Sequence, residues 1–366
     1  MRSDLLTLRP LHITDPLDSI NSKMLIKVKD TDIRDISRFI AKNEIIYHPR
    51  ISPNGYPDLN LCLDNKIVII LDRNILVRIV RLVENGTLKD QHSLRLISNL
   101  MFWCDINGIT LTSGVALMEY AYYQQSNIEA TEQHRIFKNI YKQYTPKHWL
   151  DLATGKQSTI PTIINNNIEE ANYFRESDHH KFNYLQLLIL SQLVLNPSLS
   201  LVDKFREFLN WSYDNVLIGM YSNCFALLTL KGHTKLYLVL TKLNYDEIIK
   251  NIKSTAWDLT YFSSWSTLYW DDQSDDEVFL FATMDKELKN IFKIVNNTEE
   301  DMYLKYLGNE IGAKVINIIK AVIKPRKHPD LDMKKIDNLI KIEETNLDRY
   351  ISKITLSNTR DNDHPA

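Results

Sequence analysis

The chain has 366 residues, 44% hydrophobic and 25% charged, with a net charge of −2. This is the balance of a globular protein with room for one large domain or two ordinary ones. It lacks the basic excess of a general nucleic-acid-binding domain, although a local basic patch can still serve that purpose. The three cysteines, Cys62, Cys104 and Cys224, show no CxxC spacing. They argue against a thiolate zinc site and fit a reducing compartment. The first fifteen residues carry no apolar signal core. The longest uncharged run, 182–202, contains Asn183, Gln186, Gln192, Asn196 and Pro197, so it reads as a buried helix and a turn rather than a membrane span. The expectation is a soluble, cytoplasmic protein with no membrane partner.

Residues 1–20 form a polar lead, and Met24 to Val28 can make a short strand. Asp30 or Thr31 can cap a helix through Ile40, with Ile33, Ile36, Phe39 and Ile40 on one face. A turn-rich stretch, 48–58, precedes Leu59 to Leu63, which resembles one arm of a hairpin whose other arm is Ile67 to Leu71. That second arm, Ile67-Val68-Ile69-Ile70-Leu71, is mostly β-branched and runs straight into Asp72, the pattern of a strand buried on both faces. A helix is predicted from about Leu88 to Asp105, ending at Asn107 or Gly108. Ile109 to Thr112 is a short strand, and Ser113 can cap the helix that carries Glu119. Strand–helix alternation of this kind implies a parallel sheet.

Residues 126–250 are mostly helical in period. Runs at 216–220, 225–230 and 236–240 fit either strands or short helices. Ser254 or Thr255 is predicted to start a helix bearing Trp257, Asp258, Leu259, Phe262 and Trp265, and Thr255-x-x-Asp258 has the form of a capping box. An acidic loop, Asp271 to Glu277, leads into Val278 to Thr283, a second apolar run, which ends in Met284-Asp285. A helix from about Lys286 to Val295 follows. Two helices separated around 325–329 occupy 300–355, and the last residues, from Asn358, are predicted to fray.

Two apolar runs thus end in an aspartate, Asp72 and Asp285. Parallel neighbouring strands would place both carboxylates at one sheet edge, where open α/β sheets bind ligands. Glu119 lies early in a helix after another strand, and Asp258 is placed near the start of its helix. Four carboxylates at one edge repel one another unless a divalent cation neutralises them, and oxygen-only ligands suit Mg²⁺ or Mn²⁺.

Asp72-Arg73-Asn74 at a strand end, Glu119 in the helix after the next strand, Asp258 in a later helix and Thr283-Met284-Asp285 at a final strand end occur in an order that resembles the PIN-like nuclease family. The resemblance covers roughly 60–125 and 250–300. It implies an α/β fold with a central, mostly parallel sheet in three α/β/α layers, interrupted by a large helical insertion and followed by a helical C-terminal extension. The corresponding segments are an N-terminal extension at 1–58, the two halves of the domain at 59–125 and 251–300, an insertion at 126–250 and C-terminal helices at 301–366. It further implies metal-dependent phosphodiester hydrolysis, an endonuclease acting on RNA more readily than DNA. Asp72, Glu119, Asp258 and Asp285 would be catalytic metal ligands for Mg²⁺ or Mn²⁺, with Asn74 and Thr283 orienting them. A protein partner or self-association is compatible with it, as is a catalytically silent member that acts as a binding or regulatory module. Arg73 stands where a small Thr or Ser is common, and can contact phosphate or fill the metal site.

Other features weigh less. Asp178-His179-His180 places adjacent imidazoles about 100° apart on a helix, which disfavours a shared metal. No Gly-rich phosphate loop or serine nucleophile elbow is present. Tyr120, Tyr122, Tyr123, Trp257, Tyr261, Trp265 and Trp270 can stack bases, but at helical spacing they suit a core better. Lys324, Arg326, Lys327, Lys334 and Lys335 form the most basic stretch, readable as a phosphate track or a solvated surface.

Overall fold

A computed structural model of the chain describes residues 28–48, 66–163, 171–216, 218–269, 277–296, 301–323 and 332–362. Residues 24–27 of the first predicted strand, the first hairpin arm at 59–63, Cys62, Trp270, most of the acidic loop and the basic residues Lys324, Arg326 and Lys327 lie outside them. The chain is mostly helical with one small mixed sheet, and it divides into two units. Residues 1–175 and 265–289 form the first, and 176–264 and 290–366 the second. Residues 126–175, expected in the insertion, therefore belong with the sheet-bearing unit.

The first unit is organised by β2 (Lys66–Leu71), whose last five residues are all buried, as a two-sided strand requires. It pairs in parallel with β3 (Thr110–Thr112) on one side and with β4 (Glu277–Ala282) on the other. A two-residue strand, β1 (Ile46–Tyr47), closes the far edge antiparallel to β4, giving the order β1-β4-β2-β3. The β2–β4 register runs from Lys66 opposite Glu277, which form an ion pair, to Leu71 opposite Ala282. Trp265 anchors β4 by donating its indole N–H to the Phe279 carbonyl at 2.8 Å.

Helices surround this sheet. α1 (Asp30–Asn43) packs on α3 (Gln91–Ile106), and α3 on α6 (Pro146–Ala153). Asp90 caps α3 by accepting from the amides of His92 and Ser93, both at 3.1 Å, so the helix starts slightly later than the periodicity predicts. Between β2 and β3 the chain makes two helices rather than one. α2 (Arg73–Asn85) begins at once after Asp72 and ends at Gly86, whose φ of 70° gives the left-handed cap. The sequence reading assigns no element to Ile75–Val83; its buried positions, Ile75, Leu76, Ile79, Val80, Leu82 and Val83, fall at helical spacing. α4 (Gly114–Gln124) packs on α2, β2 and α5 (Ile128–Gln143).

The second unit is helical among its described residues. It contains α7 (Asp178–Leu195), α8 (Leu201–Asn215), α9 (Met220–Leu230), α10 (Lys235–Leu240), most of α11 (Tyr245–Tyr269), the end of α12 (Lys286–Val295), α13 (Met302–Val322) and α14 (Met333–Asn362). The ambiguous runs at 225–230 and 236–240 are helical, with Thr234 capping α10 through the Tyr237 amide at 3.3 Å. α7 lies between α8 and α14, and one cluster unites Leu185, Val216 and Ile336. α11 corrects the sequence reading. It starts ten residues before Thr255, where the Asn244 side chain accepts the Glu247 amide at 3.0 Å and Asp246 and Glu247 occupy the first turn. Thr255-x-x-Asp258 is therefore mid-helix and not a capping box. No helix among the described residues is long and apolar enough to cross a membrane.

Gly86 and Gly108 separate backbone strain from crowding. Both have positive φ, but a Cβ on Gly86 would lie 2.6 Å from the Ile160 carbonyl oxygen, whereas one on Gly108 meets nothing within 4 Å. Gly108→Ala is expected to cost about 1 kcal/mol and Gly86→Ala about 2 kcal/mol or more in urea unfolding. Equal costs would show that the 86–160 contact is absent.

Candidate active site at the carboxyl edge of the sheet

β2, β3 and β4 are parallel, so their carboxyl ends lie at one edge, and each is followed directly by a helix: α2, α4 and α12 respectively. Three helix N-termini, each the positive end of a helix dipole, therefore begin at that edge. Asp72 and Asp285 stand there.

Asp72 is only 4% exposed. Its Oδ2 accepts the Thr283 hydroxyl at 2.5 Å and the side-chain amide of Asn74. It occupies the N-cap position of α2, and the amides of Arg73 and Asn74 lie near enough to favour the anion, yet its side chain closes no capping hydrogen bond. The carboxylate is committed across the sheet instead of to its own helix. Asn74 in turn accepts the Met284 amide on Oδ1 at 3.2 Å, which ties α2 to the segment after β4. Arg78 holds the Asn74 carbonyl at 2.5 Å and the Ser93 hydroxyl at 3.1 Å.

Thr283 joins the two aspartates. Its hydroxyl donates to Asp72 while accepting the Asp285 amide at 2.9 Å. Asp285 Oδ1 accepts the amides of Glu287 and Leu288 at 2.7 and 3.0 Å, which makes Asp285 the cap of α12 as well as the neighbour of Asp72. Burial pushes the Asp72 carboxyl up from its ordinary 3.8 to about 6; the Thr283 hydrogen bond opposes this and the charge of Asp285 adds to it.

The other expected ligands are placed differently. Glu119 is half-buried on α4, beside Tyr120 and on a helix that packs against β2. Asp258 is in the middle of α11, in the second unit. Among the described residues no three carboxylate, imidazole or thiolate groups stand close enough to hold a metal between them. The pair Asp72–Asp285 is thus what the fold brings together. Arg73 Nη1 donates to Gln133 Oε1 at 2.6 Å, and its guanidinium carbon lies 3.9 Å from the centroid of the Tyr120 ring. Neither Gln133 nor Arg78 carries a local motif, so nothing in the sequence pointed to them. A cavity of about 1000 Å³ lies beside Tyr120 and Gln133, with Glu84, Glu129, Glu132 and Arg135 among its lining residues.

Several of the remaining sequence candidates are core, whereas Tyr123 is exposed. Trp257, Tyr261 and Trp265 are fully buried, which rules out base stacking by these three in this conformation. His180 lies against Trp257 with ring centroids 4.5 Å apart, and burial lowers its pKa to about 4. Cys104 and Cys224 are buried thiols.

Asp72 also predicts a pH signature. Its carboxyl holds a proton more tightly in the folded chain than in the unfolded one. Its contribution to folded-state stability is therefore full below about pH 3.8 and is lost as the pH rises through about 6. Asp72→Asn removes this dependence. In metal-free buffer the stability of the variant relative to wild type should improve by about 2 kcal/mol between pH 4.5 and pH 7.5. Groups common to both proteins, His180 included, cancel in that difference. A gap that does not change with pH would mean that Asp72 is solvated.

In comparisons with known proteins, no family model, curated protein or solved structure matches this chain.

Proposed function

We propose that the chain is a Mg²⁺- or Mn²⁺-dependent phosphodiester hydrolase of the PIN-like kind, an endonuclease that acts on RNA more readily than DNA. One observation carries this reading: a desolvated carboxylate, Asp72, and a second carboxylate, Asp285, are tied together by Thr283 at the edge where three parallel strands give way to three helices. Two like charges held together in this way are costly unless a cation joins them. Mg²⁺ is commonly bound through one or two carboxylates, with water and substrate phosphate oxygens completing its octahedron, so a two-aspartate site fits it without a third protein ligand. In this proposal Asp72 and Asp285 would hold the ion, and Glu119, on the neighbouring helix α4, is a further candidate ligand. Asp258 lies in the second unit, and this proposal assigns it no role.

An ion bound there supplies Lewis acidity at a phosphoryl oxygen and a water nucleophile at neutral pH. The chain's own contribution is positional. Thr283 and Asn74 fix the Asp72 carboxylate, and the α12 amides fix Asp285. The N-termini of α2, α4 and α12 set a positive potential at the edge a phosphate would approach.

A second reading, a catalytically silent binding or regulatory module of similar fold, is favoured by the lack of a third ligand among the described residues. The two separate on one set of measurements. Under the hydrolase reading, Mn²⁺ raises the melting temperature of wild type and supports cleavage of single-stranded RNA. Asp72→Asn and Asp285→Asn should each lower cleavage by about a hundredfold or more and remove the Mn²⁺ shift while the protein stays folded. Cleavage that survives both substitutions, or a wild type with neither cleavage nor a Mn²⁺ shift, would rule the hydrolase out.

A further inference from the structure

A second cavity, of about 570 Å³, lies within the first unit, lined by α1, α3 and the segment from the end of α6 to Ser158. Part of its lining is apolar: Ile36 of α1, Leu94 of α3 and Leu152 of α6, each 4% exposed. The rest carries charge and one buried amide. An apolar surface with a few polar groups turned onto it is the make-up of a small-molecule site.

Asn99 of α3 is the buried amide. It is 2% exposed and lines the cavity. Its Nδ2 donates to the Arg95 carbonyl at 2.5 Å, one turn back in the same helix, and this fixes which end of the amide is the oxygen. Among the described residues no donor reaches that oxygen. A buried acceptor without a donor is costly, so the cavity has to supply one.

Two charged groups are left for a ligand as well. Arg95 and Asp32 line the same cavity, yet neither forms an ion pair with the other or with any other described residue. The Arg95 guanidinium lies over the Phe39 ring, 4.8 Å from its centroid, which sets its direction without using its donors. Asp35, the other carboxylate of the lining, pairs with Arg38 at 3.8 Å. Two carboxylates and one guanidinium leave the lining with one net negative charge. That balance disfavours a multiply anionic, phosphate-bearing ligand. A simple amine would leave Arg95 unused. A zwitterion answers both charges.

We propose that this cavity binds an α-amino acid with a large apolar side chain. The ligand's carboxylate sits on Arg95, whose fork of donors matches two oxygens. Its ammonium, with three donors, serves Asp32 and Asn99 Oδ1. Its side chain covers Ile36, Leu94 and Leu152. The site is separate in its residues from the Asp72–Asp285 edge, and it stands whether or not that edge holds a metal.

Calorimetric titration and melting curves of the full chain with L-leucine, L-methionine, L-phenylalanine and L-tryptophan test this. At least one of them should bind with a Kd of about 1 mM or tighter and raise the melting temperature. Its N-acetyl derivative and its amide, each lacking one of the two charges, should bind about tenfold or more weakly. Arg95→Gln and Asp32→Asn alter side chains that hold no other element in place, so both stay folded, and each should weaken binding about tenfold to a hundredfold. Arg95→Gln should no longer distinguish the amino acid from its amide, and Asp32→Asn should no longer distinguish it from the N-acetyl form, because in each case the lost partner is already gone. Failure of all four amino acids to bind would overturn the proposal. So would unchanged affinity in either variant, or adenosine monophosphate binding more tightly than every amino acid. None of these measurements involves cleavage or a metal, so their failure and that of the hydrolase reading are separate results.

Discussion

The candidate site depends on the parallel pairing of β2 with β4. Leu71 lies opposite Ala282, and the Asp72 amide donates to the Ala282 carbonyl at 3.0 Å. This pairing carries Asp72 and Thr283 side by side off the end of the sheet, where the 2.5 Å hydrogen bond forms between residues 211 positions apart. A slip of one residue would turn the two side chains to opposite faces. The pairing is held by apolar burial rather than by the polar groups it positions. Ile69, Ile70 and Leu71 of β2 and Leu280, Phe281 and Ala282 of β4 are all buried.

That rigid edge accommodates an unfavourable element. Asp72 is desolvated and lies near a second negative charge, so the folded chain is less stable at neutral pH than an uncharged isostere would make it. Such local costs are common where a protein must keep a group ready for a ligand, because an optimally stable arrangement would have neutralised it. Arg73 extends to Tyr120 and Gln133, and Arg78 to Ser93 and the Asn74 carbonyl. The Thr283 hydroxyl and the Asn74 side-chain amide fix the orientation of the Asp72 carboxylate without cancelling its charge.

Much of the fold was legible in the chain. A β-branched run ending in aspartate marked β2, and an apolar run ending in Thr-x-Asp marked β4. Ser113 marked the start of α4, and Lys286 to Val295 matched α12 residue for residue. The failures share a cause. In α2, seven of the thirteen residues are Ile, Val or Leu, a mixture whose local propensity selects no element, and burial at helical spacing decided for helix. α11 was started too late because Ser254-Thr255 is a plausible cap in isolation, whereas the competing cap at Asn244, with acidic residues behind it, governs 25 residues of continuous helix. In both, tertiary packing or a stronger distant signal decided where the local one did not.

The sequence by itself determined which residues are apolar on which period, and hence that Asp72 and Asp285 would each follow a strand and precede a helix. It determined this because side-chain alternation, β-branching and capping chemistry are local properties. Only the tertiary structure decided that those strands are adjacent and parallel, that Thr283 bridges the two aspartates, and that Asp258 belongs to the second unit while residues 126–175 belong to the first. Those outcomes depend on which buried faces meet across hundreds of residues. That choice is set by the shape and register of complementary apolar surfaces, which no local pattern encodes.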